Sequence, residues 1–183
     1  MNIPNKLTIV RVIMVPFFVA AFLMDSVSDW VALALFVAAG LTDTLDGMIA
    51  RKYNMVTNFG KLMDPLADKL MVMAALVCFT YAGIVHPGVT IVILAREFLV
   101  TGLRMLATAN GRVIAADIWG KLKTVSQDVG IIVILAWKAL EHAEFAPVLK
   151  VLSTVCIWIM TVLTVVSAVN YCVKNRDVFS ETK

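Results

Sequence analysis

Four aspartates, Asp43, Asp46, Asp64 and Asp68, stand at helical spacing within two otherwise apolar stretches. At about 100° per residue, positions 43, 46, 47 and 50 fall on one narrow arc of a helix, and 64 and 68 are one turn apart on the next. Two carboxylate pairs can then face each other across a helix pair. Four facing carboxylates repel unless some are protonated or a cation lies between them, and divalent metal is the simplest resolution. All-oxygen ligation suits a hard ion such as Mg2+ or Mn2+, and no His or Cys lies nearby to build a zinc site. Four carboxylates suffice for two ions about 3.5–4 Å apart sharing one bridging carboxylate, an arrangement used for phosphoryl chemistry. The plainer alternative makes them interfacial carboxylates paired with Arg51, Lys61 and Lys69.

Small residues surround the acids. Gly47 and Ala50 share the arc of Asp43 and Asp46 and leave a shallow groove where a ligand can approach the backbone, although small residues also serve close helix packing. Gly60 opens the next apolar run, where the free N–H groups of a helix start favour phosphate. Thr57 and Asn58 just before it offer polar contacts or a helix cap.

The elements that hold these residues follow from composition. The chain has 183 residues, 61% hydrophobic and 16% charged, against roughly 45–50% and 25% in soluble domains. Its mean hydropathy of +0.89 leaves room for several membrane spans of about 20 residues each and for little outside them. Long apolar runs at 7–24, 30–50, 61–81, 88–109, 124–140 and 147–172 predict six transmembrane helices, an all-α integral membrane bundle forming a single domain over 1–183. The first run is too long for a signal h-region and lacks a small-x-small site before Asp25, so it is expected to stay in the membrane. Cys78, Cys156 and Cys172 lie in apolar runs without C-x-x-C spacing, which indicates packing residues rather than a disulfide framework or a zinc site.

Charge orients the bundle. Lys6 and Arg11 lie at the first span, Arg51, Lys52 and Lys61 between the second and third, Arg104, Arg112, Lys121 and Lys123 between the fourth and fifth, and Lys174, Arg176 and Lys183 in the tail. The Tyr81 to Gly88 connection has no Lys or Arg, and only the fifth connection, with Lys138, Glu141, Glu144 and Lys150, is mixed. The positive-inside rule puts both termini in the cytoplasm. The four aspartates then sit just inside the cytoplasmic surface, where a buried acid, at roughly 2.5–3.5 kcal/mol each near the bilayer centre, signals function. His86 and His142 fall on the outer side, away from the acids, and Trp30 and Tyr81 read as interfacial anchors. A net charge of +3 gives no reason to expect a nucleic-acid partner.

Written together, Asp43-x2-Asp46-Gly47-x2-Ala50-Arg51-x8-Gly60-x3-Asp64-x3-Asp68 resembles the signature of the CDP-alcohol phosphatidyltransferase family, with eight fixed residues over 26 positions. The opening Asn2-Ile3-Pro4-Asn5-Lys6-Leu7-Thr8 with Arg11, the run Ala95-Arg96-Glu97-Phe98 to Leu103-Arg104, and Gly120-Lys121-Leu122-Lys123-Thr124 through Gln127 are similar to the bacterial branch that uses sn-glycerol 3-phosphate. The resemblance implies a six-helix membrane homodimer among membrane lipids, in the bacterial inner membrane with its site facing the cytoplasm. It implies transfer of a phosphatidyl group from CDP-diacylglycerol to sn-glycerol 3-phosphate with release of CMP. It also implies that Asp43, Asp46, Asp64 and Asp68 hold two divalent cations, Mg2+ or Mn2+, with Asp68 also taking the proton of the attacking hydroxyl. Gly47, Ala50, Arg51, Thr57 and Gly60 match positions around the donor's cytidine diphosphate.

An anionic acceptor requires cations beside the metals, and Arg104, Arg112 and Lys121 are the expected phosphate ligands. Arg96 and Glu97 are expected as structural charges that pair with each other or with a neighbour. Two other readings stand beside this one: a relative with another acceptor (inositol phosphate, serine or phosphatidylglycerol), and a cation transporter, since intramembrane acids also mark ion pathways. Against transport, the acids gather at one depth instead of crossing the bilayer.

Overall fold

A computed structural model describes residues 3–24, 29–53, 58–109 and 117–175, and side chains over 7–24, 29–43, 66–67, 69–108 and 117–175. Every long apolar run is helical: α1 Ile3–Leu23, α2 Asp29–Tyr53, α3 Asn58–Tyr81, α4 Pro87–Ala109, α5 Ile118–Ala139 and α6 Ala146–Lys174. The fold is all-α, as expected. Helices outrun the apolar runs at the charged ends, because backbone hydrogen bonding continues through polar turns where hydropathy falls. The largest difference is in α5, which begins at Ile118 rather than near 124 and so takes Lys121 and Lys123 into its first turns. Arg104 likewise stands inside α4, so of the four cations expected between the fourth and fifth spans only Arg112 is in the connection, outside the described residues.

Local chemistry sets the ends. The α3–α4 turn closes on Gly83, whose φ of +70° suits glycine, with Ile84 N–H donating to Phe79 O at 2.9 Å. Pro87 then begins α4, and the Gly88 N–H donates to His86 Nδ1 at 3.1 Å, a cap that gives His86 a structural task. Asp117 precedes α5 in extended conformation and is held by Asn170 and Lys174 of α6.

The packed interior joins α1, α2, α3 and α5 around Phe18, Phe22, Phe36, Phe79, Ile131 and Ile134. The Phe22 and Phe79 rings are 5.6 Å apart, a favourable tilted pair. The α5–α6 hairpin is close at Gly130, where an added Cβ would meet Met160 Sδ at 3.3 Å and Cys156 Cβ at 3.6 Å. Lys138 at the end of α5 pairs with Asp29 at the start of α2, bringing those two helix ends together.

The distribution of polarity is inverted relative to a water-soluble bundle. Arg11, Arg96, Glu97, Lys123 and Gln127 are buried, whereas Val148, Val151, Val155, Trp158, Val162 and Val169 of α6 are exposed. The inward line of α6 is instead Ser153, Met160, Thr164, Ser167 and Tyr171. Among the described residues, α6 is the one helix long and apolar enough to cross a membrane, with shorter apolar stretches at Leu7–Leu23 and Lys69–Tyr81. An apolar outer surface around charged interior groups is the arrangement that lipid selects.

Candidate active site

The start of α1, the end of α2, the start of α3, the end of α4 and the start of α5 carry the charged groups at one end of the bundle. The four aspartates are all helical: Asp43 and Asp46 on α2, Asp64 and Asp68 on α3. The Asp46, Asp64 and Asp68 side chains lie outside those described. So do the side chains of Gly47, Ala50, Arg51 and Gly60, although α2 and α3 include these positions, and Thr57 and Arg112 lie outside the described residues altogether.

Asp43 is described in full. Its Oδ1 is 2.7 Å from Arg11 Nη1; the Arg11 side chain is 2% exposed and that of Asp43 46%. Both line a cavity of about 310 Å3 whose walls include Phe36, Leu41, Met71 and Ile132, with Asp128 entering from α5. A carboxylate held by a buried cation and open on its other side fits hard-cation chemistry, since oxygen donors of fixed orientation are what Mg2+ and Mn2+ take. Among the described side chains no three of His, Cys, Asp and Glu form a group able to hold a metal; three of the four aspartates stand outside that set.

A second cavity, of about 460 Å3, lies between the end of α4 and the start of α5, and Lys69, Arg96, Arg104 and Lys121 line it with Thr101 and Thr124. The structure thus brings together Arg104 and Lys121, the two described members of the expected phosphate-binding set. Arg104 also lies over the Tyr171 ring, 5.7 Å from its centroid, a cation–π contact that steadies the guanidinium. Gly120 leaves room beside Arg96, whose Nη2 would be 3.7 Å from an added Cβ.

Between the two cavities is a smaller one of about 40 Å3, lined by Lys69, Glu97, Lys123, Gln127 and Asp128 among others. Asp128 also lines the first cavity and Lys69 the second, so neighbouring cavities share polar wall residues. Glu97 is the hub of the ion pairs there. Lys69 Nζ donates to Oε2 and Lys123 Nζ to Oε1, while Arg96 Nη1 donates to Oε1 at 3.1 Å. Arg96 Nη2 reaches Ser167 Oγ on α6 at 2.5 Å. Arg96 and Glu97 are therefore paired as expected, but in a larger assembly. Lys123, placed by sequence among the cations between the fourth and fifth spans, is instead inside α5 and buried on Glu97.

Sequence reasoning singles out neither Asp128 nor a site role for Lys69. A usable signal exists for Asp128, an acid inside the fifth apolar run, where the rule applied to the other aspartates holds equally. For Lys69 no local signal exists; its place depends on which helices pack beside α3.

Comparison with known proteins places this geometry in context. Residues 1–167 match the CDP-alcohol phosphatidyltransferase family. The chain is 38% identical to the CDP-diacylglycerol--glycerol-3-phosphate 3-phosphatidyltransferase of Bacillus subtilis over 96% of both chains. It is 37% identical to the protein of that name from Haemophilus influenzae, over 93% of this chain and 91% of the other. A probable phosphatidylglycerophosphate synthase of Mycobacterium tuberculosis is 37% identical over 97% of this chain and 83% of its own.

Proposed function

The chain belongs to the CDP-alcohol phosphatidyltransferase family, and from that premise we propose the reaction it performs. It transfers the phosphatidyl group of CDP-diacylglycerol to sn-glycerol 3-phosphate, giving phosphatidylglycerophosphate and CMP. The observation that carries this reading is similarity along nearly the whole of both chains to proteins named for that activity. A cavity lined by four cations, beside the helices that carry the aspartates, supports it.

In this reading Asp43, Asp46, Asp64 and Asp68 hold two divalent cations, Mg2+ or Mn2+. When bound, these supply charge neutralisation on the diphosphate and on the departing CMP. Asp68 takes the proton from the acceptor hydroxyl as its oxygen attacks the lipid-side phosphorus, and the bond from that phosphorus to the CMP oxygen breaks. Arg11 orients Asp43. Gly47, Ala50, Arg51, Thr57 and Gly60 surround the cytidine diphosphate, and Arg104, Arg112 and Lys121 bind the acceptor phosphate. Most of the catalysis is then positioning and electrostatic stabilisation.

We further propose that all six helices span the membrane as one domain over 1–183. Each is at least 21 residues long, enough for a bilayer core at about 20 residues. Both termini and the site then face the cytoplasm, where a lipid-tethered donor and a water-soluble acceptor can meet, and the working unit is a homodimer in the cell membrane.

The test is an acceptor panel with the purified full-length protein in detergent, CDP-diacylglycerol and Mg2+ or Mn2+. Labelled glycerol 3-phosphate should enter lipid with stoichiometric CMP, and chelation should abolish turnover until metal is restored. Turnover with an uncharged acceptor and none with glycerol 3-phosphate would overturn the acceptor assignment.

A further inference from the structure

The buried carboxylate of Glu97 is shared by cations from three helices, Lys69 of α3, Arg96 of α4 and Lys123 of α5. The Glu97 and Lys123 side chains are 6% and 3% exposed, that of Lys69 24%. Among the described side chains, one anion with three cations leaves a net +2 within the cluster, which is costly away from water unless another anion completes it. Asp128, lining the small cavity, is one such group. Even so, among the described side chains the small and basic cavities together present five cations, Lys69, Arg96, Arg104, Lys121 and Lys123, against two acids, Glu97 and Asp128.

Excess positive charge is not spread evenly. Lys123 is turned inward on Glu97, whereas Lys69 and Arg96 touch Glu97 and also line the basic cavity. Arg96 is fixed at two ends, by Glu97 and by Ser167, and its buried Nε, like that of Arg104, has no hydrogen-bond partner among the described residues. Lys69 spends one of its three Nζ donors on Glu97. Without the carboxylate between them, Lys69, Arg96 and Lys123 would repel one another and separate.

We propose that Glu97 is a positioning residue for the acceptor. It holds Lys69 and Arg96 at the basic cavity so that, with Arg104 and Lys121, they bind a phosphate-monoester dianion in preference to a neutral or singly charged acceptor. A phosphate monoester carries about −1.5 to −2 charge near neutrality and three acceptor oxygens, which matches a ring of cations fed from α3, α4 and α5. The inference rests on the reaction proposed above and adds to it the device that selects the acceptor.

The test compares Glu97→Gln, Glu97→Asp and Lys69→Gln with wild type as purified full-length proteins, using CDP-diacylglycerol, Mg2+ and glycerol 3-phosphate, with inorganic phosphate as competitor. Glu97→Gln and Lys69→Gln should each raise the KM for glycerol 3-phosphate and the inhibition constant of phosphate about tenfold or more, with the KM for CDP-diacylglycerol within about twofold. The double variant should be little worse than either alone, and Glu97→Asp should recover part of the loss. Equal changes in both KM values, or an unchanged acceptor KM in Lys69→Gln, would overturn the inference. Lys69 is partly exposed, so Lys69→Gln decides the matter even if Glu97→Gln does not fold. If wild type itself uses only uncharged acceptors, the reaction assignment falls and this inference with it. If wild type uses glycerol 3-phosphate and the variants show no KM split, the inference alone falls.

Discussion

Arg11 of α1 and Asp43 of α2 form an ion pair of 2.7 Å in which the cation is buried and the carboxylate half exposed. A guanidinium locked in the helix packing thereby sets the direction of a carboxylate at the mouth of a cavity. Arg11→Ala should lower the unfolding midpoint in detergent and reduce turnover. Because Asp43 keeps contact with the exterior, the stability loss should fall below the roughly 3–5 kcal/mol seen when fully buried pairs are broken. Arg11→Lys should retain part of both. Unchanged melting and turnover in Arg11→Ala would refute the orienting role.

Asp68→Asn should abolish turnover while the protein remains folded and monodisperse. An amide can still donate and accept hydrogen bonds but cannot take the proton of the attacking hydroxyl. Near-normal turnover at saturating Mg2+ would remove Asp68 as the base.

Arg104→Ala or Lys121→Ala should raise the KM for glycerol 3-phosphate by about 10- to 100-fold, the scale of one charge-assisted hydrogen bond, with little change for CDP-diacylglycerol. Parallel changes in both would assign the residue to folding or docking.

Gly130→Leu should destabilise the α5–α6 hairpin by about 1–3 kcal/mol, the usual cost of overpacking. The lighter Gly130→Ala needs only a small shift of the flexible Met160 side chain, 3.3 Å from the new Cβ. Thermal unfolding of the two variants should therefore rank leucine well below alanine; the reverse order would contradict the close approach.

At the start of α5, Lys174 holds the Asp117 carboxyl below its ordinary value, chiefly through their hydrogen bond, with further help from the Ile118 backbone N–H and Asn170 against a smaller desolvation effect. A carboxylate whose folded pKa is depressed stabilises the fold fully above its unfolded value, and that contribution disappears as pH falls through the folded one. Asp117→Asn should therefore melt below wild type near neutrality, and the gap should close as pH drops through and below the ordinary value of 3.8. A gap that persists at the acid end would assign the effect to shape rather than charge.

Much of this molecule can be read along the chain. All six helices arise from long apolar runs, and the aspartate pairs share helices because their spacing is local: 43 with 46, and 64 with 68. The start of α5 is less legible, since helical hydrogen bonding extends into the polar turn that carries Lys121 and Lys123. Lys123 shows the consequence, an apparent surface cation that is in fact buried on Glu97.

The sequence by itself determined the helical architecture, the family, and the residue types available for metal and phosphate. Tertiary structure alone decided which distant charges meet. Lys69 and Glu97 are 28 positions apart, Lys123 and Glu97 26, and Arg96 and Ser167 71. The physical reason lies in the outer surface. In water, an apolar stripe announces which side of a helix faces inward; here the outward sides are apolar too, as on α6. Hydropathy therefore cannot set each helix's rotation about its axis, and packing against neighbours selects the charges that turn inward to share one carboxylate.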